Sequence, residues 1–180
     1  MSRQSADHAP GPPTGGALRR FLALALATAG GAGYAPIAPG TFGSMVGVVV
    51  FWFVVPIGPI AVAVAAAVAS ALGVWAAGEA ERLYAKKDDG RIVIDEVAGQ
   101  LVTLLPLAAL AGPDQARGPL PLLAGFLIFR GFDIAKPGPV LWAERNFPGG
   151  QGVMYDDLVA GALSAGVMTV LILLLGVGDA

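Results

Sequence analysis

The stretch Ile92-Val-Ile-Asp-Glu-Val-Ala-Gly-Gln-Leu-Val-Thr-Leu-Leu-Pro106 decides how this chain folds. Two adjacent carboxylates, Asp95 and Glu96, stand at the start of an apolar segment that carries no further charge until Asp114. A helix start accounts for one of them, as a capping or first-turn residue, more easily than for both, because desolvating a carboxylate is costly. The stretch predicts an apolar helix with an acidic pair at its mouth, and from these residues alone capping and function both stay open.

The composition favours a membrane environment over water. The 180 residues are 56% apolar and only 13% charged, whereas soluble domains carry about 25% charged residues, and the mean hydropathy is +0.71. The length allows one domain or a small membrane bundle. Without cysteine, the chain has no disulfide, thiolate metal site or cysteine nucleophile. A net charge of −2 with no basic run argues against a nucleic-acid partner.

Three long stretches carry no charged residue, namely 43–78, 97–113 and 158–178. A spanning helix needs about 20 apolar residues, so the first stretch can hold two helices if Pro56-Ile-Gly-Pro59 turns the chain. The predicted helices lie at about 43–55, 60–78, 97–112 with a kink at Pro106, 119–132, and 158–176. We therefore predict an all-α, multi-helical membrane bundle with short apolar helices and an interfacial acidic site. The alternative is a very apolar soluble helical oligomer.

Basic residues set the orientation of the predicted bundle. Two helical hairpins and a final span place nearly all lysines and arginines on one side and leave Arg117 on the other. By the positive-inside rule, the basic side is expected to face the cytoplasm. Residues 1–16, rich in Pro, Gly and small polar residues, are predicted to form a disordered tail, and residues 17–180 a single helical domain.

A Pro/Gly-rich segment, Tyr34-Ala-Pro-Ile-Ala-Pro-Gly-Thr-Phe-Gly-Ser44, leads into the first charge-free stretch. Its prolines stop any earlier helix, and Thr41 or Ser44 is suited to cap the helix that follows. A glycine-rich loop that opens a helix leaves backbone N–H groups for an anion, which makes Thr41, Gly43 and Ser44 candidates for phosphate binding. An ordinary turn into a membrane helix would have the same pattern.

Two further segments combine carboxylates with apolar helices. In Phe129-Arg-Gly-Phe-Asp-Ile-Ala-Lys-Pro137, Asp133 follows Arg130 and precedes Lys136 at helical spacing, so two cations flank it and are able to bind phosphate. A surface string of salt bridges would look the same. Gly149-Gly-Gln-Gly-Val-Met-Tyr-Asp-Asp-Leu158 again puts a carboxylate pair before an apolar helix, with capping as the alternative.

Acidic residues from three predicted helix ends fall on one face of the bundle. They are Asp95, Glu96, Asp133, Asp156 and Asp157. Their repulsion favours a bound cation, and oxygen ligands alone suit Mg²⁺. Glu79 could join them or could pair with Arg82, one helical turn further on. Because the only histidine is His8, and cysteine and Walker motifs are absent, hydrolysis would rely on carboxylates and metal-activated water.

Four segments together resemble the phosphatidylglycerophosphatase A family: 34–44, 94–100, 129–137 and 149–161. They occur in the family's order and cover about residues 18–176. The resemblance implies an all-helical, Mg²⁺-dependent lipid phosphatase of the bacterial inner membrane. Such an enzyme converts phosphatidylglycerophosphate to phosphatidylglycerol, which is also the precursor of cardiolipin. Tyr155 and Gly138 are modest departures from the family pattern.

By this resemblance, the family's acidic positions carry over to Asp95, Glu96, Asp133, Asp156 and Asp157. We expect them to hold one or two Mg²⁺ ions at the cytoplasmic interface, while Arg130, Lys136 and the 40–44 loop bind the terminal phosphate. Two other functions stay open: a small divalent-cation transporter and a catalytically silent helical scaffold. Acids at helix mouths, with no charge inside a segment, favour interfacial chemistry over transport. The oligomeric state is left open.

Overall fold

The computed structural model describes residues 16–147 and 150–176. Over these ranges the chain forms α-helices and turns and contains no strand. The helices are α1 (Ala17–Ala27), α2 (Pro39–Val54), α3 (Pro59–Tyr84), α4 (Ile94–Leu110), α5 (Pro113–Ala116), α6 (Pro119–Ala135), α7 (Gly138–Asn146) and α8 (Gly150–Leu175). The all-α prediction is confirmed, whereas the predicted tail lies outside the described residues except for Gly16.

Helix α4 is the centre of the bundle, and α2, α3, α6 and α8 pack around it. Eleven of its 17 residues are buried, because a helix that is apolar on every side is stable only when other helices surround it. Pro106 lies within α4 and does not end it. The central position of α4 means that whatever its first turn carries is enclosed by the ends of its neighbours.

Glycines bring the neighbouring helices close to α4. A Cβ at Gly99 of α4 would overlap the backbone oxygen of Asp157, and a Cβ at Gly161 of α8 would overlap that of Gly99. On the other side of α4, Gly43 and Gly47 of α2 leave room for the residues they face. Small residues permit such close helix contacts in membrane proteins. As a result, the first turns of α2 and α4 and the second turn of α8 meet at one end of the bundle, here called the site end.

Three helical segments are long and apolar enough to cross a membrane: Pro39–Ile57, Pro59–Tyr84 and Gly150–Leu175. Large apolar side chains on these helices point outward, for example Val64, Val68 and Leu173, as lipid-facing positions require. Helices α4 and α6, at 17 residues each, are the short apolar helices that the sequence predicted. The fold is the expected membrane bundle.

The predicted helix boundaries are furthest from the structure at two places. Helix α3 continues to Tyr84, beyond the predicted end at 78, because the charged residues there pair along the helix, Arg82 with Glu79 at 3.0 Å. Helix α8 begins at Gly150 rather than at 158. Asp156 and Asp157 therefore lie in its second turn and not at its mouth, so a charge pair does sit inside a long apolar helix.

The predicted caps are also wrong. Helix α2 begins at Pro39, a residue suited to the first helical position, after Ala38, and no side chain caps it. Thr41 and Ser44 consequently lie inside the helix. Likewise, Val93 precedes α4 without a side-chain cap, which leaves Asp95 in the first turn of the helix. Asp95 is therefore not the N-cap. Both carboxylates do lie in the first turn, where the helix N-terminus favours negative charge, and Asp95 accepts a hydrogen bond from the Glu96 N–H at 3.0 Å.

The two ends of the bundle differ in charge as predicted. Far from the site end, Arg117 stacks on the ring of Trp52, with its guanidinium carbon 4.5 Å from the ring centre. Its Nε also donates to the Trp52 carbonyl at 3.0 Å. Since Trp52 lies near the end of α2 and Gly40 near its start contacts Glu96, Arg117 and the acidic pair occupy opposite ends.

Candidate active site

Three carboxylates, from Asp95, Glu96 and Asp157, converge at the site end. Each offers one oxygen, and these oxygens lie within 4.8 Å of one another. Asp95 and Glu96 come from the first turn of α4. Asp157 reaches them from α8 because Gly99 and Gly161 let the two backbones touch. Residues about 60 positions apart in the chain thus form one acidic group, which we call the carboxylate triad.

The triad is buried, and its negative charge is balanced only in part, by Arg130 at 4.0 Å from Glu96. Asp95 and Asp157 are 8% and 3% exposed, and no described residue supplies a hydrogen-bond partner for Glu96 Oε2 or Asp157 Oδ2. Burial raises the pKa of Asp95 well above its usual range, and the nearby charges of Glu96 and Asp157 raise that pKa further. Burial also raises the pKa of Glu96. Such a group needs a proton or a cation, and its oxygen-only donor set could hold a hard divalent ion.

Arg130 and Asp133, both on α6, border the triad. Nη1 of Arg130 lies 2.6 Å from Asp133 Oδ2 and 4.0 Å from Glu96 Oε1, and it donates to Ser44 Oγ at 3.4 Å. The Nε of Arg130 is buried and has no partner in the described part of the chain. The guanidinium is therefore held in place at one edge while a donor stays available, which suits recognition of a phosphate.

Asp156 and Lys136 lie on another side of the triad, where the cation is fully paired with carboxylates. The ammonium of Lys136 lies 2.9 Å from an oxygen of Asp156 and 2.9 Å from an oxygen of Glu144. Burial disfavours the charged lysine, but Glu144 and Asp156 outweigh that effect and raise the pKa of Lys136. Lys136 thus ties α6, α7 and α8 together, and its role as a phosphate ligand stays a prediction.

The first turn of α2 forms the wall next to Glu96. A Cβ at Gly40 would overlap the Glu96 carboxylate, and one at Gly43 would clash with Val93. Ser44 is fully buried and donates to the Gly40 carbonyl at 3.0 Å. The predicted anion-binding loop is therefore helical, and the N–H groups of Gly43 and Ser44 are committed to helix bonds. Gly40 and the half-buried Thr41 lie in the electropositive first turn, where the Thr41 N–H already donates to the Ala38 carbonyl at 2.9 Å.

Glu79 does not join the carboxylate triad. Its Oε1 accepts hydrogen bonds from Arg19 at 2.7 Å and from Arg82 at 3.0 Å, and it is not among the converging oxygens of the described residues. The structure therefore confirms the alternative in which Glu79 pairs with Arg82. The second pair, with Arg19, connects α1 to α3.

Gln100 is a residue to which the sequence analysis gave no role. It is fully buried one helical turn after Glu96, where it packs against Gly47 of α2. Both atoms of its side-chain amide lack a hydrogen-bond partner within the described ranges. A single amide in an otherwise apolar helix was the available signal, because a buried polar group without a purpose is costly. Its amide could hold water or a ligand beneath the triad.

Comparison with known proteins gives one consistent family. The family model described as Phosphatidylglycerophosphatase A matches residues 25–172. An Escherichia coli (strain K12) protein named Phosphatidylglycerophosphatase A is 36% identical over 144 residues, which is 79% of each chain. A Bacteroides thetaiotaomicron protein named "Putative phosphatidylinositol-3-phosphatase" is 38% identical over 80% of this chain and 89% of its own. No solved structure matches the chain significantly.

Proposed function

Since the chain belongs to the phosphatidylglycerophosphatase A family, we propose that it hydrolyses phosphatidylglycerophosphate to phosphatidylglycerol and phosphate. This reaction serves the synthesis of phosphatidylglycerol and, from it, cardiolipin. The observation that carries the proposal is the buried carboxylate triad, whose three acids have only Arg130 as a nearby cation among the described residues and keep two oxygens without a hydrogen-bond partner there. A hard cation next to a guanidinium suits the dianionic phosphate of a monoester.

The cofactor in this proposal is Mg²⁺. Asp95, Glu96 and Asp157 would hold it, with Asp133 and Asp156 at the two borders of the triad. The fit is supported by the oxygen-only donor set and by the two buried carboxylate oxygens without a partner among the described residues. When bound, the ion supplies a Lewis acid that stabilises negative charge on the phosphoryl oxygens.

Side chains next to the triad bind the phosphate and orient the other groups of the site. Arg130 binds the phosphoryl oxygens through its available donors and offsets the charge that develops on them as water displaces the glycerol oxygen. Asp133 and Ser44 orient the guanidinium at 2.6 and 3.4 Å. Lys136 positions Asp156 through their 2.9 Å ion pair. The acyl chains stay in the bilayer, so the lipid is not extracted during the reaction.

We place the protein in the bacterial inner membrane with the carboxylate triad towards the cytoplasm. The support is the uneven distribution of basic residues, because the loops at the site end carry Lys86, Lys87, Arg91 and Lys136, and the opposite end carries Arg117. Basic loops stay on the cytoplasmic side of a membrane. Modification of single cysteines introduced at 87 and 117, from each side of inverted membrane vesicles, tests this orientation.

A second candidate substrate is phosphatidylinositol 3-phosphate. It is favoured by the name of the Bacteroides relative, which is as similar to this chain as the Escherichia coli protein. Both substrates are anionic lipids that end in a phosphomonoester, so the triad and Arg130 would serve either of them.

Phosphate release from a lipid panel tests the proposal. The purified chain is assayed in mixed micelles with phosphatidylglycerophosphate, phosphatidylinositol 3-phosphate and phosphatidate, each with Mg²⁺ and with a chelator. We expect Mg²⁺-dependent release, fastest from phosphatidylglycerophosphate. Preference for the inositol lipid would replace the first candidate by the second. No release from any lipid, together with Mg²⁺ uptake into proteoliposomes, would instead support transport, and neither signal would support a scaffold.

A further inference from the structure

An apolar groove runs along the outside of the bundle between α7 and α8. It has a volume of about 520 Å³, and its lining includes Trp142, Phe147, Tyr155, Leu158 and Ala162. The three aromatic rings meet edge to face, with ring centroids 5.8 Å apart for Trp142 and Phe147 and 4.5 Å apart for Phe147 and Tyr155. From Tyr155 to Ala162 the groove follows α8 for about 10 Å. It therefore has the direction of a spanning helix and the lining of a lipid site.

A polar pocket adjoins this groove. Its volume is about 370 Å³, and it shares Phe147 with the groove. Its charged walls are two cations, Lys87 and Arg145, and three carboxylates, Asp88, Glu144 and Asp156. Neither Lys87 nor Arg145 forms an ion pair with any residue in the described ranges. Lys136 pairs with Glu144 and Asp156 at 2.9 Å each, so Lys87 and Arg145 outnumber Asp88, the remaining carboxylate of the pocket. Phe147 lies between this pocket and the apolar groove.

We propose that the groove binds one acyl chain of the lipid substrate while the adjoining pocket receives the anionic headgroup region. The inference rests on the proposed lipid phosphatase function. An anionic phospholipid matches this surface from end to end. Its negatively charged headgroup would lie against Lys87 and Arg145, and its hydrocarbon chain would lie in the apolar groove. Trp and Tyr at a membrane protein's surface mark the headgroup level, so Trp142 and Tyr155 put the junction at the depth where headgroup and chain meet.

The adjacency of the polar pocket and the carboxylate triad on α8 favours substrate over bulk lipid as the occupant. Asp156 belongs to the polar pocket, and its neighbour Asp157 belongs to the triad. On α8, Tyr155 and Leu158 flank these two aspartates and face the groove. A lipid whose chain lies along α8 therefore has its headgroup beside the turn of α8 that carries the reacting site.

A groove-filling substitution tests the inference. Ala162 is exposed within the groove, so Ala162→Phe fills it without disturbing the core. The matched control is Ala71→Phe, an equally exposed alanine on α3 outside the groove. KM is measured for phosphatidylglycerophosphate with oleoyl chains and with hexanoyl chains. We expect the preference of the wild type for the long chains to fall about tenfold in Ala162→Phe, as when two methylene groups lose their contacts, and to persist in Ala71→Phe.

Photolabelling gives a readout that does not need turnover. A phosphatidylglycerol carrying a diazirine near the end of one acyl chain is crosslinked in vesicles, and the labelled peptides are identified. Labelling of α7 and α8 groove residues that falls in Ala162→Phe and not in Ala71→Phe supports the inference. Equal labelling, or an unchanged chain-length preference with loss of an oligomer in Ala162→Phe, overturns it and assigns the groove to a second copy. Absence of turnover in the wild type overturns the proposed function alone.

Discussion

Two buried acidic regions, Asp89 and the carboxylate triad that begins six residues later at Asp95, have opposite surroundings. Asp89, in the loop before α4, receives two hydrogen bonds from the Arg91 guanidinium at 2.7 and 3.1 Å and an ion pair from Lys86 at 3.4 Å. The carboxylate triad, which begins at Asp95, keeps two buried oxygens without a partner in the described residues. The carboxylate of Asp89 is therefore fully paired by residues of the protein, whereas the triad is not.

The pKa values of the two regions move in opposite directions for this reason. Hydrogen bonds from Arg91 lower the pKa of Asp89 below its usual range, whereas burial raises that of Asp95. A buried carboxylate with partners stabilises the fold, and one without partners costs stability. Natural proteins keep such costs mainly at functional sites. The contrast therefore marks Asp89 as a structural acid and favours a functional role for the triad.

The largest expected effect is the loss of activity in Asp157→Asn. Removing one ligand from the triad should lower Mg²⁺-dependent phosphate release by about 10²–10³-fold, the range seen when one group that stabilises transition-state charge is removed. Thermal unfolding in detergent without Mg²⁺ should be unchanged or shifted upward, because a repelling charge is gone. Near wild-type turnover would exclude Asp157 from the reaction.

A smaller loss is expected from Gly40→Ala. The new Cβ would occupy the position of the Glu96 carboxylate, so that side chain must move and turnover should fall by about 10-fold or more. Gly131→Ala on α6 is the matched control, because a Cβ there meets nothing within 4 Å although the residue adjoins Arg130. Equal turnover in the two variants would show that the position of Glu96 is unimportant.

The smallest effect belongs to the structural acid. Asp89→Asn should leave turnover unchanged and lower the free energy of unfolding by about 1–3 kcal/mol, since it removes charge-assisted hydrogen bonds. Because folding lowers the pKa of Asp89, its contribution is present above pH of about 4 and disappears as the pH falls further. The difference in Tm between wild type and variant should shrink below that pH, and a difference that grows there would contradict the assignment.

Much of the fold follows from sequence pattern, and the unpredicted start of α8 has a physical cause in glycine packing. The apolar run after Asp95 and Glu96 predicts a buried helix, and α4 is that helix. Gly150 and Gly152 look like loop residues, yet they begin α8. A Cβ at Gly150 would overlap the Val74 carbonyl of α3, and one at Gly152 that of Phe147. In this chain glycine serves close packing as often as it interrupts a helix.

The candidate site was predictable in part, through its residue types but not through their partners. Carboxylate clusters are visible in the sequence, and the side chains of three of the five predicted acids converge in the structure. Charge partners depend on tertiary contacts that spacing does not reveal. Lys136 lies 20 residues from Asp156 and 8 from Glu144, so its engagement could not be foreseen. The sequence shows the amide of Gln100, but its burial and its lack of a partner among the described residues depend on the tertiary structure.

Direct titration of a divalent cation into the detergent-solubilised protein tests the central claim that the triad is a cation site. We predict saturable Mg²⁺ binding to the wild type by calorimetry, equal binding to Asp89→Asn, and loss of that binding in the double variant Asp95→Asn/Asp157→Asn. Saturable binding of equal strength in the double variant would contradict the claim.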